Sequence, residues 1–117
     1  MSQIILYGIK NCDTVRKARR WLDSHKVSYQ YHDLRADGLS KAEVDNWLSA
    51  LGNEVLINRR GTTWRNLTDK EKTVAGNAAI SELLLTHPAL IKRPLLNIDG
   101  LLHVGFSDAQ YQQLFAK

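Results

Sequence analysis

The stretch RPLLNIDGLLHVGF, residues 93–106, restricts the fold more than any other part of the chain. Two apolar runs flank Asp99-Gly100, a pair suited to a two-residue hairpin turn, so the segment is predicted as two antiparallel strands. The N-terminal part carries a complementary signal. QIILYG is a short apolar run stopped by Gly8, as expected of a buried strand. Beyond Cys12, the apolar residues Val15, Ala18, Trp21 and Leu22 recur at helical spacing, which predicts an amphipathic helix over 12–25. VSYQYHDL then alternates Val27, Tyr29 and Tyr31, the period of a strand. Two strands joined through a helix run parallel. A parallel pair followed by an antiparallel hairpin, with helices packed on them, is an α/β arrangement.

The middle of the chain reads as helices. In GLSKAEVDNWLSALG, Ser40 and Glu43 have the spacing of a capping box, Val44, Trp47, Leu48 and Leu51 form one face, and Gly52 supplies the stop. Thr68 and Glu71 repeat the box before a second helical stretch. NAAISELLLTHP is a third, with Ile80, Leu83 and Leu84 inward and Pro88 at its end. SDAQYQQLF closes the chain as a short helix, with Ser107 and Gln110 as a further box and Tyr111, Leu114 and Phe115 inward. The order β-α-β, helices, β-β-α is that of a thioredoxin-like fold with an inserted helical subdomain. The expectation is a single domain over 1–117 whose helical insert spans about residues 36–90.

At 117 residues, 44% hydrophobic and 24% charged, the chain has the composition of one ordinary globular domain. No apolar run approaches the roughly 20 residues of a membrane span, so no membrane association is expected. The start, Met1-Ser2-Gln3-Ile4, has neither a charged region nor an apolar signal segment, which predicts a cytoplasmic protein. The net charge of +4 is mild and the charges are interspersed; direct nucleic-acid binding is not expected, and a small anionic ligand suits the charge as well. The four histidines have no pair at ligand spacing and there is one cysteine, so neither a metal site nor an internal disulfide is expected.

That cysteine is the main chemical candidate. Cys12 falls between the first strand and the first helix, in the polar loop KNCDT. Unpaired backbone N–H groups and the positive end of the dipole favour a thiolate at a helix start. Lys10 and Arg16 add positive charge nearby, and Asn11 and Thr14 offer hydrogen bonds, although such residues commonly serve as caps. A buried, inert cysteine would instead sit in an apolar run. LINRRGTTWRNL places Arg59, Arg60 and Arg65 in a loop, and guanidinium groups suit carboxylate and oxyanion recognition. In LIKRPLL, Arg93 precedes Pro94 at a strand start. In a thioredoxin-like fold that corner faces the thiol, so Cys12, Arg60 and Arg93 are expected to converge on one anion.

The stretches YGIKNCDTVRKARRWL, HDLRADGLS, NRRGTTWRNL and LIKRPLL together resemble the arsenate reductase (ArsC)-like family, and more closely its YffB-like thiol reductase branch, with the Spx regulators as relatives. The resemblance covers nearly the whole chain. It implies a glutathione-dependent monothiol oxidoreductase without a metal, with Cys12 as nucleophile, Arg60 and Arg93 as anion binders and a cis bond before Pro94. Glutathione is the implied co-substrate and glutaredoxin an implied partner. The resemblance also implies a third arginine after the last strand; this chain has LHVGFSD there, with Gly105, which predicts poor arsenate turnover. Spx regulators often carry C-x-x-C at the thiol, where this chain has Cys12-Asp13-Thr14-Val15, so a disulfide switch is ruled out. The alternative implied by the Spx resemblance is a regulator that binds RNA polymerase without turnover.

Overall fold

The structure, a computed structural model, describes residues 3–116. The chain divides into two compact units: the described parts of Met1–Asp33 and Arg93–Lys117 form one, and Leu34–Lys92 the other. The second unit contains the expected insert and extends it by two residues at each end.

The first unit is built on a four-stranded sheet in the order β2-β1-β3-β4, with β1 at Ile4–Gly8, β2 at Gln30–Asp33, β3 at Leu95–Ile98 and β4 at Leu101–Val104. β1 pairs in parallel with β2 and antiparallel with β3, and β3 and β4 form the hairpin. Asp99 and Gly100 take φ values of 51° and 93°, the left-handed pair that a tight hairpin turn needs. The turn is tied to the start of the chain: the Gln3 N–H donates to Asp99 Oδ1 at 2.6 Å and the Asp99 N–H to the Gln3 carbonyl at 2.9 Å. Helix α1 covers Asp13–Ser24 and the closing helix, α7, Asp108–Leu114. Both lay apolar faces on the same cluster, in which Leu6, Ala18, Trp21, Leu22, Leu96 and Tyr111 are buried. Trp21 is fixed there by its indole N–H, which donates to Asp108 Oδ1 at 2.7 Å. The expected box at α7 is only half formed. Ser107 accepts from the Gln110 N–H, but the Gln110 side chain donates to the Val104 carbonyl instead of returning to the cap.

The second unit is helical: α2 at Lys41–Leu51, α3 at Asn53–Leu56, α4 at Thr62–Arg65, α5 at Asp69–Lys72 and α6 at Asn77–Thr86. The Ser40–Glu43 box is complete at the start of α2, and the Thr68–Glu71 box at the start of α5. The second box heads a single turn rather than a long helix. Thr73 Oγ1 turns back onto the Lys70 carbonyl, and Gly76 at φ 87° redirects the chain. Pro88 opens a 3-10 turn over Pro88–Leu90 after α6 has already ended, and α4 takes Arg65 out of the expected loop. Val44, Trp47, Leu48, Ile80, Leu83 and Leu84 are buried where α2 packs on α6. An antiparallel bridge between Ile57 and Ile91 ties the segment after α3 to the last residues of this unit, flanked by N–H donation from Asn58 to the Leu90 carbonyl and from Lys92 to the Leu56 carbonyl.

Candidate functional site

Cys12 occupies the N-cap of α1, with extended backbone and a partly exposed side chain. Its carbonyl accepts the first helical bond, from the Arg16 N–H at 3.0 Å. The thiol therefore stands at the helix start, four residues beyond the end of the central strand β1. Gly8 allows that short connection. A Cβ there would lie 2.8 and 2.9 Å from the two Val15 methyl carbons, so α1 approaches the strand end closely only because the side chain is absent.

The loop between Gly8 and Cys12 is anchored by Asp33, a residue that sequence reasoning did not single out. Asp33 ends β2 and is buried, and its Oδ2 accepts the Lys10 N–H at 2.9 Å and the Tyr31 hydroxyl at 3.4 Å. The signal available was a carboxylate closing an otherwise apolar-alternating strand beside the strand that leads to the thiol. Asn11 completes the turn at φ 68°, a left-handed value that asparagine tolerates. The Asn11 Oδ1 accepts from Arg16 Nη2 at 3.3 Å, and Asp13 Oδ1 from Arg16 Nη1 at 2.6 Å. The Arg16 charge is therefore shared with Asp13, an exposed pair in the first turn of α1. Thr14 and Lys10 are exposed. Lys10, Asn11, Cys12 and Thr14 thus form one continuous polar loop and helix start.

Arg93 and Pro94 belong to the same unit. The peptide bond between them is cis. Tyr7 pairs with Leu95, so the start of β3 lies beside the end of β1, and the cis peptide occupies the same end of the sheet as the Cys12 loop. Gly105 lies there too: its N–H donates to the Pro94 carbonyl at 2.9 Å, and its φ is 83°.

Arg60 belongs to the helical unit. It lines a cavity of about 370 Å³ with Glu54, Ile57, Asn58, Arg59 and Lys92. The Asn58 side chain accepts the Arg60 N–H at 3.0 Å and shapes the turn. Arg59 reaches Asn53 Oδ1 at 3.2 Å and lies 5.3 Å from the centre of the Trp64 ring. Three cations against one carboxylate make this an anion-attracting cavity. Among the described residues, no group of three His, Cys, Asp or Glu side chains could hold a metal ion. No described helix is long and apolar enough to cross a membrane.

A model of the ArsC family matches residues 7–114. An uncharacterized protein of Haemophilus influenzae is 42% identical over 113 residues, covering 97% of this chain and 99% of its own. A global transcriptional regulator Spx of Lactiplantibacillus plantarum is 26% identical over 117 residues, covering 97% of this chain and 87% of its own. Among solved structures, the YffB protein superposes with a TM-score of 0.91 at 42% identity, covering 97% of this chain and all of that one. An arsenate reductase (ArsC) related protein from Brucella melitensis gives 0.78 at 43% identity, with 98% and 96% covered. The likeness extends over both units and supports the thioredoxin-like assignment.

Proposed function

The chain belongs to the ArsC family, and on that premise we propose that it is a glutathione-dependent monothiol oxidoreductase with Cys12 as its nucleophile. The observation that carries the proposal is the position of Cys12: partly exposed, at the cap of α1, in a loop held by a buried carboxylate. A thiolate there attacks the glutathionyl sulfur of a mixed disulfide. The Cys12–glutathione disulfide forms and the substrate thiolate leaves. A second glutathione thiolate then attacks that disulfide, releasing oxidised glutathione and restoring the Cys12 thiolate. Over the cycle, one mixed disulfide and one glutathione thiolate become one substrate thiolate and one molecule of oxidised glutathione, and Cys12 is returned unchanged. An external thiol must resolve the adduct because the chain has no second cysteine. Arg93 and Arg60 hold carboxylates of glutathione or an oxyanion of the substrate; Lys10, Asn11 and Thr14 line the approach, and glutaredoxin is an alternative resolving partner. The whole chain acts as one domain in this reading, with the helical unit as its insert, in the cytoplasm.

The test is exposure to oxidised glutathione followed by intact-mass measurement. One glutathionyl group should add to the parent protein and none to Cys12→Ser, and reduced glutathione should remove it. A protein that takes up no glutathione, or whose adduct resists excess reduced glutathione, refutes the proposal. Arg93→Ala should weaken glutathione binding by about 1.5–3 kcal/mol, the effect of one charged hydrogen bond. An unchanged affinity together with a large loss of melting temperature would make Arg93 structural.

Arsenate is a poor substrate in this reading. Attack of a thiolate on an oxyanion needs donors in place, and the third arginine is absent. Gly105 offers only its backbone, and that N–H already donates to the Pro94 carbonyl. Loss of one such donor corresponds to a deficit on the order of 10²–10³ in rate.

A second reading is a regulator that binds RNA polymerase without turnover. It is favoured by the 26% identity to Spx regulators across 97% of the chain. Capture of the polymerase α subunit, with no glutathione turnover, would select it.

A further inference from the structure

Four cations follow one another on the exposed side of α1: Arg16, Lys17, Arg19 and Arg20. Two are engaged within the molecule. Arg16 is paired with Asp13, and Arg19 donates to the Tyr29 hydroxyl at 3.1 Å and lies 4.1 Å from the centre of the Tyr31 ring. Lys17 and Arg20 enter none of the ion pairs among the described residues. These two line a groove of about 260 Å³ together with Trp21, Ser24, His25 and Phe106. Positions 17, 20, 21 and 24 form a single stripe on the helix, and Phe106 closes the groove from beyond β4. The floor is apolar and fixed. The Trp21 indole is held by Asp108, with the His25 ring stacked on it at 3.7 Å and the Tyr111 ring edge-on at 5.5 Å, while Phe106 packs against Tyr111 at 4.7 Å.

We propose that this groove docks an acidic peptide segment of a partner protein, which inserts one apolar side chain between Trp21 and Phe106 and places carboxylates against Lys17 and Arg20. The groove is wide-mouthed and smaller than the roughly 300–1,000 Å³ of sites that enclose a small molecule. It suits a single anchor side chain whose backbone stays outside. A rigid aromatic floor beside uncommitted cations has the composition of an interface hot spot. Among the described residues no carboxylate lines the groove, and Asp108 beneath it is engaged by the Trp21 indole. A nucleic acid fits less well. Trp21 is only 8% exposed and His25 covers one ring face, so no aromatic platform is open for a base.

The probe is a fluorescein-labelled peptide with three glutamates on each side of a phenylalanine, followed by anisotropy on the full chain. Saturable binding is expected. It should weaken by about tenfold or more in the doubly reversed variant Lys17→Glu/Arg20→Glu, as expected when close charge pairs become repulsive. Serine in place of the peptide phenylalanine should weaken it comparably, as should Ser24→Phe, which fills the groove and leaves its charges. All three side chains replaced are exposed, so melting temperatures should stay at the parent value, and the Trp21 indole N–H resonance should shift on titration. The proposal is overturned if no saturable binding occurs up to millimolar peptide. It is also overturned if binding ignores the phenylalanine or the variants, or if a single-stranded oligonucleotide of equal charge binds more tightly.

Discussion

The two units differ in the ties that hold each of them together internally. In the sheet unit the ties join distant parts of the chain: β1 pairs with β3, the Gln3 N–H reaches Asp99, and Trp21 reaches Asp108. In the helical unit many ties are local: two complete capping boxes, a Lys41–Asp45 pair one turn apart, and short helices that follow one another closely. The thiol is on the unit with the long-range ties, and its loop is fixed by a buried carboxylate from another strand. Arg60 is on the unit with local ties, exposed, in a turn shaped by its neighbour Asn58. A nucleophile needs a fixed approach direction, whereas an anion-binding arginine tolerates adjustment of its long side chain. The contrast in construction matches the tasks proposed for Cys12 and Arg60.

The contrast makes different mutations costly in the two units. The largest effect is expected from Trp21→Ala, which empties the centre of the sheet-unit core and leaves the Asp108 carboxylate without its indole partner; the loss should be about 3–5 kcal/mol in chemical denaturation. Gly8→Ala should cost about 1–3 kcal/mol, because the new methyl group overlaps both Val15 methyl carbons and pushes α1 from β1. It should also slow alkylation of Cys12 by iodoacetamide, since α1 carries the thiol; an unaltered rate would mean that the helix start is not held by that contact. Ser40→Ala removes one local cap in the helical unit and should cost only about 1 kcal/mol. A loss from Ser40→Ala as large as that from Trp21→Ala would break the contrast.

The smallest effect at neutral pH is expected from Tyr111→Phe. The Tyr111 hydroxyl is buried without a hydrogen-bond partner among the described residues, so its removal should be neutral or stabilising by about 1 kcal/mol. Burial also raises the phenol above its ordinary value of 10.0. The folded state then keeps a proton that the unfolded state gives up, so stability falls as pH rises past 10. The Phe variant should lose less stability over that alkaline window in melting experiments. Equal alkaline losses in the two proteins would show that Tyr111 is not the group responsible.

Legibility in the sequence followed the same division. The hairpin was readable because Asp99-Gly100 sits between two apolar runs, and the complete cap at Ser40 because the box needs only residues three apart. The box at Thr68 was readable as a start but not as a length, since the helix is ended by Thr73 folding back on its own backbone. The Ser107–Gln110 pattern matched a box, yet Gln110 found a carbonyl on β4 that no local rule specifies. At the site, Cys12 could be placed by the strand-to-helix change. Asp33 could not, because its role depends on β2 lying beside β1 so that its carboxylate meets the Lys10 N–H. The Arg16–Asp13 contact, by contrast, is an i,i+3 pair of the kind that helix spacing offers, and it offsets part of the positive charge that the sequence alone assigns to the thiol.

The sheet is made from two segments of chain separated by the whole helical unit, and this orders events at the ribosome. Synthesis delivers β1, α1 and β2 first, but β1 needs β3 as its second neighbour, and β3 emerges only after residue 94. Residues 34–92 are all outside the exit tunnel before that happens. The nascent chain therefore holds Leu6 and Trp21 without Leu96 and Tyr111 to cover them until β3 and α7 have followed. This early two-stranded fragment is the stage at which a holding chaperone has most apolar surface to grip.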